Sequence, residues 1–141
     1  MLLNKLKNRI TIANSISSWQ DAIRLCSKPL LCQGYITNNY IDDMINNVIK
    51  NGPYMIIMPL VALPHSRPES GVNKTGLSLL KLNEPVLFPD DTPVQLLFTL
   101  AANQNDEHMD LISELSEFLI GPSNIPNLLN ANSVEEIEKC L

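Results

Sequence analysis

Hydrophobic positions along this chain change period twice. Trp19, Ala22, Ile23, Cys26, Leu30 and Leu31 recur at helical spacing, with Ser17 or Ser18 placed to cap the helix start and Gly34 to end it. Ile41, Met44, Ile45, Val48 and Ile49 form a second stripe. It predicts a helix from Asn38 or Asn39 that stops at Asn51-Gly52-Pro53. The pattern then shortens to that of strands, over Tyr54 to Met58, Val61 to Leu63 and Thr75 to Leu82. Val94 to Ala102 is almost continuously apolar and β-capable, which predicts a strand covered on both faces. Helical spacing returns from about Glu107 to Ile120, with Met109, Leu111, Ile112, Leu115, Phe118 and Leu119 as its apolar positions. Short helical pieces near Ile125–Leu129 and Val134–Leu141 follow Gly121-Pro122. Helices, then strands, then helices predict an α/β fold in which a mixed parallel/antiparallel sheet is sandwiched between helices. No repeat or long linker divides the chain, so one domain is expected over residues 1–141.

Composition narrows the function. The 141 residues are 45% hydrophobic and only 5% aromatic, so aliphatic side chains must fill the core. A net charge of −5 with scattered Lys and Arg offers no basic stripe, which argues against nucleic acid and against anionic membrane surfaces as partners. The first fifteen residues are broken by Lys, Asn and Arg, unlike a signal peptide. The longest apolar run, Met55 to Leu63, contains Pro59 and is too short to span a bilayer. A cytoplasmic protein without direct membrane insertion is expected. Cys26, Cys32 and Cys140 are odd in number and lack C-x-x-C spacing, so reduced thiols are expected rather than disulfides or zinc. Neither a metal nor a cofactor motif is present in the sequence.

The chemistry concentrates on two histidines. His65 lies in Leu63-Pro64-His65-Ser66-Arg67-Pro68-Glu69-Ser70-Gly71, bracketed by two prolines that stiffen the backbone around it. The N–H groups of His65, Ser66 and Arg67 are candidates to hold an anion, and Arg67 adds a fixed positive charge. An imidazole with an unperturbed pKa of about 6.5 keeps a nucleophilic nitrogen available near neutral pH. Phosphoryl transfer asks chiefly for positioning and charge stabilisation, which such a cradle supplies. Ser66 is a further candidate donor to the phosphoryl group. His108 falls in the first turn of the helix after the buried strand and shares a face with Leu111, Ile112 and Leu115. It is therefore expected to point inward, at the positive end of a helix and at the carboxyl end of a strand. The plainer readings are a turn histidine at 65 and a core histidine at 108. Asp90-Asp91-Thr92-Pro93 reads as a turn, Glu135, Glu136 and Glu138 as a solvated helix face, and Glu69 as surface.

Gly52-Pro53-Tyr54-Met55-Ile56-Ile57-Met58-Pro59, then Ala62 through Val72, then Lys74-Thr75-Gly76 resemble the phosphorylation-site region of EIIA proteins of the mannitol/fructose class, in the bacterial phosphoenolpyruvate-dependent sugar phosphotransferase system. Gly-Pro-Tyr and Arg-Pro-Glu look most like the ascorbate-type branch. Weaker similarity runs through Trp19-Gln20-Asp21-Ala22 and Asn105 through Leu119. The resemblance implies a phosphotransferase component in which His65 accepts phosphate from the phosphocarrier HPr and passes it to a cysteine of EIIB, the membrane component EIIC being involved only indirectly. The sugar would be ascorbate or a related sugar or sugar alcohol. It also implies that His108 stabilises the phosphorylated state. The mannitol and fructose branches carry an arginine before the active-site strand; the matching stretch, residues 46–52, has none, leaving Lys50 or Arg67 to supply the charge. The alternative is a regulatory EIIA-like domain whose phosphorylation state is read by a partner. A binding domain that takes up no phosphate is a third reading.

Overall fold

The computed structural model describes residues 2–141. Its elements run α1 (Leu2–Leu6), β1 (Ile10–Ala13), α2 (Trp19–Cys32), α3 (Asn38–Asn51), β2 (Ile56–Met58), β3 (Leu60–Ala62), β4 (Gly76–Phe88), β5 (Thr92–Ala101), α4 (Asn105–Leu119), α5 (Asn124–Asn130) and α6 (Val134–Cys140). Single 3-10 turns occupy Pro68–Ser70 and Pro89–Asp91.

The five strands form one mixed sheet in the order β1-β4-β5-β3-β2. β4 and β5 pair antiparallel from Gly76↔Ala101 to Phe88↔Thr92, joined by a tight turn in which Asp90 and Asp91 both have positive φ. β1 runs parallel to β4, and β3 parallel to β5. β5 is thus the middle strand, which explains its apolar run. Leu97 and Ala101 face the layer of α2 and α3, while Leu96, Phe98 and Leu100 face the opposite layer. On the first side Ala22, Ile23, Cys26, Tyr40, Met44 and Val48 pack against the sheet. On the second, Leu6, Leu111, Leu115, Leu128 and Ile137 do so. Each such leucine or isoleucine contributes about 1.5–3 kcal/mol by leaving water. The mixed sheet between helical layers matches the sequence expectation.

Polar groups inside these layers are paired. Ser27 and Thr99 share a hydroxyl hydrogen bond of 2.8 Å. Lys81, 2% exposed, donates to Ala131 O at 2.8 Å and Asn83 Oδ1 at 2.6 Å, tying the link between α5 and α6 to the sheet.

Some boundaries match expectation and others differ. α2 begins at Trp19 with Ser18 as its cap, the hydroxyl accepting from Asp21 N at 3.1 Å. Tyr54 and Met55 are not in a strand, because Gly52, with φ of 83°, turns the chain there. β4 continues six residues past Leu82, held by pairing to β5. Met109, expected on the apolar face of α4, is 63% exposed, and α4 starts two residues early, at Asn105. The N-terminal elements α1 and β1 were not apparent from the pattern. Arg9 anchors that region from within, donating through Nε to Leu77 O at 2.9 Å and through its guanidinium to Gln33 Oε1 at 3.0 Å.

Candidate active site

β3 pairs parallel with β5, its last residue Ala62 facing Leu97, so both chains leave the sheet in the same direction. The chain leaving β3 runs through Leu63 and Pro64 to His65; the chain leaving β5 turns into α4, which carries His108 in its first turn. A hydrogen bond from Leu100 N to Pro64 O, 2.9 Å, holds the two exits together. The imidazoles of His65 and His108 meet with ring centroids 5.4 Å apart.

His65 Nδ1 lies 2.6 Å from Leu63 O. A carbonyl can only accept, so Nδ1 carries the proton and the lone pair is on Nε2. Tyr54 packs edge-on against the ring at 5.5 Å, and its hydroxyl donates to His65 O at 3.1 Å. The ring is therefore fixed on two sides, and Nε2 is its free nitrogen.

A cavity of about 370 Å³ opens here, lined by Asn47, Asn51, Tyr54, His65, Ser66, Arg67, Pro68, Asn105 and His108. Arg67 supplies the cation among its lining residues. Lys50, the other candidate for the missing arginine, is exposed and is not part of the lining. Burial, and then repulsion from His65 whenever that ring is protonated, holds His108 below its ordinary pKa, which favours its neutral imidazole. A neutral ring offers one N–H donor and no competing charge.

Residues of α3 hold the loop that follows His65. Tyr40 Oη donates to Leu100 O at 2.7 Å and accepts from Ser66 N at 3.0 Å. Burial pushes the Tyr40 phenol far above its usual range, so it acts as a neutral bridge. Ser66 Oγ donates to Asp43 Oδ2 and accepts from Asn47 Nδ2 at 3.1 Å. Ser70 Oγ donates to the same Asp43 oxygen at 2.7 Å. These two hydroxyls, and then the charge of Arg67, hold the Asp43 carboxyl below its usual range. Beyond Ser70, Gly71 has φ of 131° and passes so close to Thr37 that a Cβ there would lie 2.0 Å from the threonine hydroxyl. Only glycine fits.

His65, Arg67, Ser66 and His108, expected from the sequence, thus meet around one cavity. One expectation needs correction. The Ser66 N–H is not free for an anion, because Tyr40 takes it. The Ser66 hydroxyl, expected to bind or support the phosphoryl group, donates to Asp43 and so ties this side chain to α3. His108 faces inward as its phase predicts, yet it is half-buried against His65 and not in the core. Tyr40, Asp43 and Asn47 escaped the sequence reading. Their spacing of i, i+3, i+7 beside the apolar stripe of α3 was the available signal.

The family described as phosphoenolpyruvate-dependent sugar phosphotransferase system, EIIA 2, matches residues 4–141. The chain belongs to this EIIA family. It is 41% identical over 132 residues to the mannitol-specific cryptic phosphotransferase enzyme IIA component of Escherichia coli (strain K12), covering 93% of this chain and 90% of that protein. It is 31% identical over 133 residues to the ascorbate-specific PTS system EIIA component of Salmonella choleraesuis, covering 92% and 86%. The solution structure of a mannitol-specific cryptic phosphotransferase enzyme IIA from Escherichia coli superimposes with a TM-score of 0.91 at 38% identity, over 99% of this chain and 97% of that one. A complex of mannitol enzyme IIA with phosphorylated enzyme IIB from Escherichia coli contains a chain matching with a TM-score of 0.81 at 27% identity, over 94% and 87%. Among the described residues of this EIIA chain, no helix is long and apolar enough to cross a membrane.

Proposed function

We propose that this EIIA chain is a phosphoryl carrier that takes a phosphoryl group from phospho-HPr onto Nε2 of His65 and hands it to a cysteine of EIIB. The observation that carries the reading is the bond from His65 Nδ1 to Leu63 O, which leaves Nε2 as the free nucleophile in a cavity shared with Arg67 and His108. In the forward step Nε2 bonds to phosphorus as the donor's N–P bond breaks and its electron pair stays with the donor imidazole. The proton on Nδ1 stays put. Leu63 O then offsets the positive charge that the ring acquires, and Arg67 and the N–H of His108 face the phosphoryl oxygens. In the second step the cysteine thiolate displaces His65, and Nε2 recovers its lone pair.

The complex of the mannitol relatives supports EIIB as the acceptor. Tyr54 lines the cavity, and exposed Ile49 and Met109, close in the chain to the lining residues Asn51 and His108, suit brief apolar docking of successive partners. The mannitol- and ascorbate-named relatives point to uptake of ascorbate or a related sugar or sugar alcohol, from the cytoplasmic side and through EIIC only by way of EIIB. The fate of labelled phosphate tests the relay against a purely regulatory role. Label supplied through enzyme I and HPr should pass from His65 to EIIB; label that stays on this chain in the presence of EIIB contradicts the relay.

A further inference from the structure

Asp43 is an anion set close to where a phosphoryl group would sit. Its Oδ2 accepts both Ser66 Oγ–H and Ser70 Oγ–H, and Arg67 lies between those two serines. The arc from Ser66 to Ser70 is otherwise held at its margins, by Tyr40 at Ser66 N and by Asn39 Nδ2, which donates to Ser70 O at 3.1 Å. By charge alone this carboxylate opposes anion chemistry at His65. Its two hydroxyl bonds act the other way, since they fasten both ends of the segment that brings Arg67 to the cavity.

We propose that Asp43 is a positioning residue for phosphoryl transfer at His65: its carboxylate clamps the Ser66–Ser70 arc to α3 and so aims Arg67 at the phosphoryl oxygens. This rests on the phosphoryl-carrier reading above. Asp43 acts through Arg67 and touches no reacting atom. The two effects of the carboxylate have opposite signs, which makes them separable. If its charge dominates, neutralising it speeds phosphorylation; if the clamp dominates, neutralising it slows phosphorylation.

The experiment compares wild type, Asp43→Ala, Asp43→Asn, Ser70→Ala and Asp43→Ala/Ser70→Ala at matched folded fraction, fixed by urea unfolding. His65 phosphorylation is followed by intact mass with two donors, phospho-HPr and the small molecule phosphoramidate. For Asp43→Ala the clamp predicts a kcat lower by about tenfold to a hundredfold with both donors, and a KM for phospho-HPr within about twofold of wild type. Ser70→Ala should slow the reaction less. The double variant should be no slower than Asp43→Ala, because both substitutions open the same clamp. Asp43→Asn, which keeps an acceptor oxygen, should fall between Ala and wild type. Rates equal to or above wild type in both Asp43 variants, or losses that multiply in the double variant, overturn the proposal. Labelling by phosphoramidate but not by phospho-HPr refutes the HPr relay and leaves the clamp to be judged on the phosphoramidate rates. If neither donor labels wild-type His65, both readings fall.

Discussion

The imidazoles of His65 and His108 lie 5.4 Å apart, centroid to centroid, with their planes inclined at 59°. They belong to segments far apart in the chain and meet because the chain leaving β3 keeps alongside the parallel β5, Leu100 N donating to Pro64 O, until β5 turns into α4. The arrangement pairs an imidazole whose Nε2 is free with a second ring whose pKa is held below the ordinary value by burial and by its neighbour.

Replacing His108 by Gln should damage chemistry more than folding. The ring is only half-buried, so its loss opens no core cavity. A lost hydrogen bond to a charged phosphoryl group costs about 1.5–3 kcal/mol, roughly tenfold to a hundredfold in rate. Stopped-flow transfer to EIIB at matched folded fraction measures this. Equal rates and equal phosphohistidine lifetimes would reduce His108 to a packing residue.

His108 should titrate below the ordinary histidine value of 6.5. Because its folded pKa is depressed, its contribution to stability is full above 6.5 and declines as the pH falls from there through the lower folded-state value. Part of the depression comes from His65, so His65→Ala should raise the His108 midpoint. Imidazole NMR titration of both proteins gives the answer. An unmoved midpoint would mean that burial alone sets it.

Much of this arrangement was legible beforehand because its causes are local. The nearly continuous apolar run of β5 marks a strand covered on both faces, and Leu111, Ile112 and Leu115 fix the inward phase of His108 whatever the helix boundary. β1 was not legible. Its four residues, Ile-Thr-Ile-Ala, are too few to show a period, and it is held by pairing with β4, distant in sequence. The hydroxyl contacts of Tyr40 and Asp43 were hidden for a related reason. They depend on how α3 lies against the loop after β3, which packing decides and no motif records. The bond from the Ser66 hydroxyl to Asp43 is hidden in the same way, because the two residues are remote in the sequence.

Tyr40→Phe tests that bridge. The substitution keeps the buried ring and removes the acceptor of Ser66 N–H and the donor to Leu100 O. Leaving such groups unpaired should cost about 1–3 kcal/mol. Urea unfolding should show a lower midpoint with an unchanged slope. A midpoint equal to that of wild type would show that the hydroxyl carries no stability.

The central claim is that His65 carries the phosphoryl group, and intact mass tests it most directly. Wild type incubated with enzyme I, HPr and phosphoenolpyruvate should gain the mass of one phosphoryl group, lose it in mild acid and keep it in base, as a phosphoramidate does. His65→Ala, folded, should gain nothing. An undiminished gain in His65→Ala, or a phosphate that survives mild acid, would contradict the account.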